Sequence, residues 1–197
     1  MEKDKIQIET ERLFIRVLRS NDVTEEYASG LNDSEVNKYM FVRHTRQTME
    51  SVKEFAEHSY ESKDSILLGL FLKNEYKLIG TVRLSGISYY DYCLELGVCL
   101  FSKKHWGQGF GEEALMHIKN YVFSNMGFHY IEAGIYDVND ASKKLFEKVG
   151  FKCREEIEDK YRLEDMFVKV LIYKAVNHDF DLRERIKCDE SIGSWRN

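Results

Sequence analysis

An α+β fold is what this sequence predicts, and three observations predict it. Short apolar or alternating runs recur between amphipathic helical segments, so strands and helices interleave along the 197 residues. Two pairs of these runs are joined by only a few residues, at 73–76 and 163–165, which makes most of the sheet antiparallel. One strand, loop and helix unit spanning 94–126 is followed directly by a further strand, an order that suits a local parallel pair.

Residues 6–16 read as a first strand, and Asn21-Asp22-Val23 starts a helix that ends near Gly30. A second helix is capped at Asp33 or Ser34, and Thr48 opens a third that carries Val52, Phe55 and Ala56. Residues 66–72 and 78–84 form a hairpin. In 94–100, Leu94, Leu96, Val98 and Leu100 share one face, while Glu95, Gly97 and Cys99 share the other. Phe110, Ala114, Leu115, Ile118, Val122 and Met126 recur at helical spacing until Gly127 stops the run. Residues 131–135 form the next strand, and Asn139 caps a helix that Gly150 ends. Residues 151–161 and 166–176 supply the last two strands, giving about seven in all. The chain has no proline, so Gly, Asn and Asp make most of its turns. Residues 1–180 form one domain, and 181–197 a polar tail expected to be mobile or to pack on a partner subunit, leaving a homodimer open.

Composition narrows the function. With 43% hydrophobic residues the chain can bury one sizeable core, and a net charge of −5 gives no basic field for nucleic acid. No apolar run is long enough to span a bilayer and the start is not signal-like, so a cytoplasmic location and no membrane partner are expected. Cys93, Cys99, Cys153 and Cys188 lack zinc spacing and read as reduced thiols, three of them on strands; the six histidines are scattered. No metal is expected.

The segment Trp106-Gly107-Gln108-Gly109-Phe110-Gly111 places alternate glycines just before a helix. Glycine permits positive φ and close backbone approach, and the first helical turn offers unpaired N–H groups, so the loop suits an anion such as a pyrophosphate. It is neither a Walker loop nor a Gly-x-Gly-x-x-Gly fingerprint. Downstream, residues 139–151 run from Asn139 through a short helix to Gly150-Phe151. In these two ordered motifs the sequence resembles the GNAT acyltransferase superfamily. Glu9-Thr10-Glu11-Arg12-Leu13 and Glu95-Leu96-Gly97 also resemble the branch containing ribosomal-protein alanine N-acetyltransferases, over residues from about 8 to about 177.

The resemblance implies a mostly antiparallel sheet flanked by helices, with a splayed parallel pair at an acetyl-CoA site, and direct acetyl transfer to a primary amine. It implies cofactor contacts from Val98, Cys99, Leu100, Trp106, Gly107, Gln108, Gly109, Phe110, Gly111, Asn139, Ser142 and Phe146. It also makes Glu95 a candidate general base, the alternative being that the carboxylate only orients other groups. Cys99 has no assignable base and reads as packing. Trp106 stands where Gln or Arg is common, and Phe146 where many members carry a proton-donating tyrosine. Ser142, one turn earlier, is the nearest substitute donor, its alternative being a helix-end contact; Tyr136 and solvent are further sources.

Tyr39, Arg43 and His44, with Tyr89 and Tyr161 from later loops, are the expected acceptor-binding residues. The acceptor is read as a small amine such as an amino sugar or polyamine. A protein N-terminal acetyltransferase, taking a peptide amine, and a non-catalytic acyl-CoA sensor are the alternatives.

Overall fold

A computed structural model describes residues 2–192, with side chains described to residue 187. Eight strands form one sheet in the order β1-β2-β3-β4-β5-β6-β8-β7. They are β1 (Gln7–Glu9), β2 (Leu13–Val17), β3 (Ile66–Leu72), β4 (Leu78–Ser88), β5 (Cys93–Cys99), β6 (Tyr130–Tyr136), β7 (Lys152–Leu163) and β8 (Met166–Val176). All neighbouring pairs are antiparallel except β5 and β6.

The eighth strand arises where one was expected over 6–16. Thr10 breaks that run: its backbone N–H donates to Leu13 O at 3.0 Å and its hydroxyl accepts from Leu13 N at 2.8 Å, closing a turn between β1 and β2. The first helix also starts later than expected. Residues Ser20–Asp22 make a 3-10 turn, and α1 (Glu25–Leu31) begins after Thr24, whose hydroxyl caps Tyr27 N. Asp33 caps α2 (Ser34–Asn37) and Thr48 caps α3 (Met49–Glu61).

Both faces of the sheet are covered, unequally. On one, α4 (Phe110–Ser124) buries Phe110, Ala114, Leu115, Ile118 and Val122 with Phe128, Phe146 and Phe151 in the main core. Each Phe, Leu, Ile or Val among them contributes about 1.5–3 kcal/mol on full burial. On the other, α1 and α3 bury Tyr27, Leu31, Val52 and Ala56 against Leu18, Phe71 and Cys99. Hence β3, covered on both sides, is buried at every residue. Helix α5 (Asp140–Lys148) buries only Phe146. Within the segment expected as a tail, Leu182–Ile192 forms α6, and Arg185 donates to Met126 O at 3.1 Å.

Candidate active site

The β5/β6 pairing is short. Cys93, Leu94 and Glu95 lie opposite Tyr130, Ile131 and Glu132, and no pairing follows. Beyond Glu95 the strands part, β5 continuing with β4 and β6 with β8. A strand edge without a partner carries unpaired N–H and C=O groups. Alternate backbone groups of residues 96–99 of β5 therefore face a gap with hydrogen-bonding capacity to spare, the others bonding β4.

Alternation assigns the residues around that gap to the two faces. Leu94 and Leu96 enter the core under α4, with Val98 and Leu100 half-buried against it. Glu95 and Gly97 point to the opposite face, where both are exposed, and register places Glu132, Gly134 and Tyr136 of β6 on that face too. The helices α1 and α3 stop short of them. An open floor results, holding two glycines; a Cβ on Gly97 would meet nothing within 4 Å.

At the start of the floor two carboxylates face each other in register. Glu132 is paired with Lys174 at 2.7 Å. Glu95 has no hydrogen bond or ion pair among the described residues. Cys99 shares its strand face but lies under α1, where burial pushes its thiol up to about 12. It is a packing residue, not a nucleophile at neutral pH. Cys93 and Cys153 are free thiols, the side chain of Cys188 lies outside the described residues, and no metal-ligating cluster occurs among those described.

The glycine loop sits at the same end of the sheet as the gap. Gly107 has φ +71° with nothing within 4 Å of a built Cβ, and Gly109, at φ +82°, is the N-cap of α4. Left-handed backbone at both positions favours glycine. Gly109 caps without a side chain, so the N–H groups of the first turn stay available to a ligand. Gly111 has a different reason to be glycine, because a Cβ would stand 3.3 Å from Leu145 Cδ2 of α5. Trp106, at the position where the resemblance has Gln or Arg, is committed to the protein's own backbone. Its indole N–H donates to Leu100 O at 2.6 Å and ties the loop to the end of β5. Gln108 Nε2 donates to Lys104 O at 2.6 Å. A cradle with space above positive-φ glycines, at a helix start, fits the pyrophosphate of a coenzyme A thioester.

Across the gap, Asn139 caps α5 by accepting from Ser142 N at 3.1 Å. The helix-end contact considered for Ser142 is thus made by Asn139, and the Ser142 hydroxyl has no hydrogen bond among the described residues. Phe146 is 2% exposed and packs edge-on to Phe151, with ring centroids 5.0 Å apart. It belongs to the core and offers no proton.

Of the expected acceptor residues, Tyr39, Arg43 and Tyr161 converge on Tyr136. The Tyr136 ring stacks on Tyr161 at 5.6 Å and meets Tyr39 edge-on at 6.0 Å. Arg43 Nη1 donates to Tyr136 OH at 3.4 Å, while its other bonds go to the carbonyls of Met40 and Arg162. It has no carboxylate partner among the described residues. Tyr136 lies four residues past Glu132, about 13 Å along the strand. His44 turns instead to exposed Phe41 at 5.6 Å. Tyr89 does not join the cluster; it packs on Phe128, near the opposite end of β6. In the sequence Tyr136 is marked only as a weaker proton donor and Arg12 has no local signal of a role, although both meet this region of the fold.

A parted strand pair with a glycine-capped helix start at its mouth can receive a thioester donor, and the open floor beside it can admit a nucleophile. Fold and site thereby define the class, an acyl-CoA-dependent acetyltransferase. The chain belongs to the GNAT family, whose acetyltransferase (GNAT) domain model matches residues 12–152. It is 29% identical over 148 residues to the uncharacterized N-acetyltransferase YoaA of Bacillus subtilis, covering 74% of this chain and 82% of that one. Among solved structures, the ribosomal-protein-S5-alanine acetyltransferase of Vibrio fischeri superposes with a TM-score of 0.77 at 20% identity, covering 90% of this chain and 100% of that one. The spermidine N-acetyltransferase of Vibrio cholerae, solved with CoA and spermine, gives 0.77 at 18% identity, covering 86% and 98%. These two likenesses concern the fold. No helix among the described residues is long and apolar enough to cross a membrane.

Proposed function

We propose that the protein moves an acetyl group from acetyl-CoA directly to the primary amine of a small acceptor, an amino sugar being favoured over a polyamine. The observation that carries this reading is the uncommitted Glu95 carboxylate at the point where β5 and β6 part. When bound, acetyl-CoA supplies the activated acetyl group. The N–H groups of residues 107–111 would hold its pyrophosphate, and those backbone groups of Val98, Cys99 and Leu100 that face the gap would hydrogen-bond the pantetheine arm and polarise the thioester carbonyl. Glu95 accepts the ammonium proton, directly or through water, freeing the lone pair for attack. Collapse of the tetrahedral adduct breaks the C–S bond. As the amide forms, the nitrogen gives up its second proton, and the departing thiolate takes one up through Ser142, Tyr136 or solvent.

Tyr39, Tyr136 and Tyr161 offer ring faces suited to the apolar face of a sugar. Arg43 stands among them without an anionic partner among the described residues, and its charge opposes a polycation. Incubation with acetyl-CoA and a panel of amino sugars, polyamines and N-terminal peptides, read by mass spectrometry of the products, tests the reading. Acetylation of an amino sugar is expected to dominate. Preference for peptides would make the protein an N-terminal acetyltransferase, and binding without any transfer would make it a sensor.

A further inference from the structure

Arg12 lies on the β1–β2 turn, 96 residues from Gln108 in sequence, yet it grips the glycine loop. Its Nη1 donates to Gln108 O at 2.9 Å, its guanidinium lies 4.2 Å from the centre of the Phe110 ring, and a Cβ on Gly109 would stand 3.5 Å from Nη2. Gln108 and Phe110, on either side of Gly109, are thus held by one side chain.

The side chain is itself held. Arg12 Nε donates to Glu113 Oε2 at 2.7 Å, and its backbone N–H donates to Glu113 Oε1 at 2.7 Å. Thr10 Oγ1 donates to the same Oε1 at 2.5 Å. Burial alone would raise the Glu113 carboxyl, but these donors from Thr10 and Arg12 together hold it below its ordinary value. Glu113 is thus a carboxylate that fixes the guanidinium and cancels its charge, so what Arg12 brings to the loop is geometry more than net charge.

A trans peptide is planar, with its C=O and N–H pointing in opposite directions. Fixing Gln108 O toward Arg12 therefore turns the Gly109 N–H away from Arg12. On the far flank lies α5, as the contact between Gly111 and Leu145 shows. The Gly109 N–H then joins the free N–H groups of the first turn of α4.

We infer that Arg12 is a positioning residue for the donor: acting through the Gln108–Gly109 peptide, it pre-sets the N–H groups that receive the pyrophosphate of acetyl-CoA. This rests on the proposed acetyl-CoA site. Arg12 touches the loop and leaves the reacting atoms to other groups. Its loss should weaken donors that carry a pyrophosphate and spare those that do not.

Titration calorimetry with CoA, and steady-state transfer from acetyl-CoA and from S-acetylpantetheine, which lacks the pyrophosphate, test this on wild type, Arg12→Gln and Arg12→Lys. Arg12→Gln is expected to weaken CoA binding by about 10- to 100-fold, the scale of one charge-assisted hydrogen bond. KM for acetyl-CoA rises by a similar factor, kcat holds within about twofold, and kcat/KM with S-acetylpantetheine is unchanged. Arg12→Lys, which keeps the charge without the fork, should fall between; it also serves as the test variant if Arg12→Gln does not fold. Unchanged CoA affinity in a folded variant, or an equal loss with both donors, would overturn the inference and leave Arg12 a brace of the fold. Absence of CoA binding in the wild type would instead remove the site itself.

Discussion

Glu95→Gln is expected to lower kcat by roughly 10²- to 10⁴-fold, the usual scale for a general base, while CoA affinity stays within about twofold. Glutamine keeps the size and hydrogen bonding of the side chain and removes only its capacity to take a proton. The fold has no stake in the charge, since Glu95 is exposed and makes no hydrogen bond or ion pair among the described residues. It also faces Glu132 in register, so neutralising it relieves a like-charge neighbour. Steady-state kinetics beside CoA calorimetry separate these effects. Near-normal turnover would show that water or the acceptor itself disposes of the proton.

Phe146→Ala is expected to cost about 3–5 kcal/mol, the range for truncating a buried aromatic. That is a large part of the 5–15 kcal/mol that holds an ordinary domain, at about the same temperature. The ring is 2% exposed, is the one buried residue of α5, and packs edge-on to Phe151, so its removal detaches the helix that carries Ser142. Phe146→Leu, which refills most of the space, should cost less and retain turnover. Denaturant unfolding read together with activity checks both. Lost turnover at full stability in Phe146→Leu would place the ring at the chemistry rather than in the core.

What the sequence made legible was local. The glycine loop, the Asn139 cap and the alternation that sends Glu95 and Gly97 away from Leu94 and Leu96 follow from spacing and side-chain chemistry alone. The break at Thr10 was hidden because Ile6, Ile8, Leu13 and Ile15 all carry the apolar signature of strands. What breaks the run is a hydroxyl that closes a turn and meets Glu113, more than a hundred residues away in sequence. Arg12 was hidden for the same reason: its partners lie on the loop and on α4, and no local pattern marks a charged residue as a clamp. Tyr39, Arg43 and Tyr161 were visible as polar aromatics and a cation in suitable segments. Their convergence on Tyr136 depends on how β7 and β8 extend past the point where β5 turns away. Tyr89 has the same composition cue, but Phe128 takes its ring.

The claim on which the rest depends is that the parted strands and the capped helix start form a coenzyme A site. Titration calorimetry of CoA into the wild type and into Gly109→Val tests it most directly. Gly109 sits at φ +82°, where valine is strained by about 1–3 kcal/mol, a cost the fold can bear while the cradle is displaced. Single-site binding by the wild type, absent in a Gly109→Val protein that circular dichroism shows to be folded, is the predicted result. No binding by the folded wild type, or undiminished binding by Gly109→Val, would contradict it.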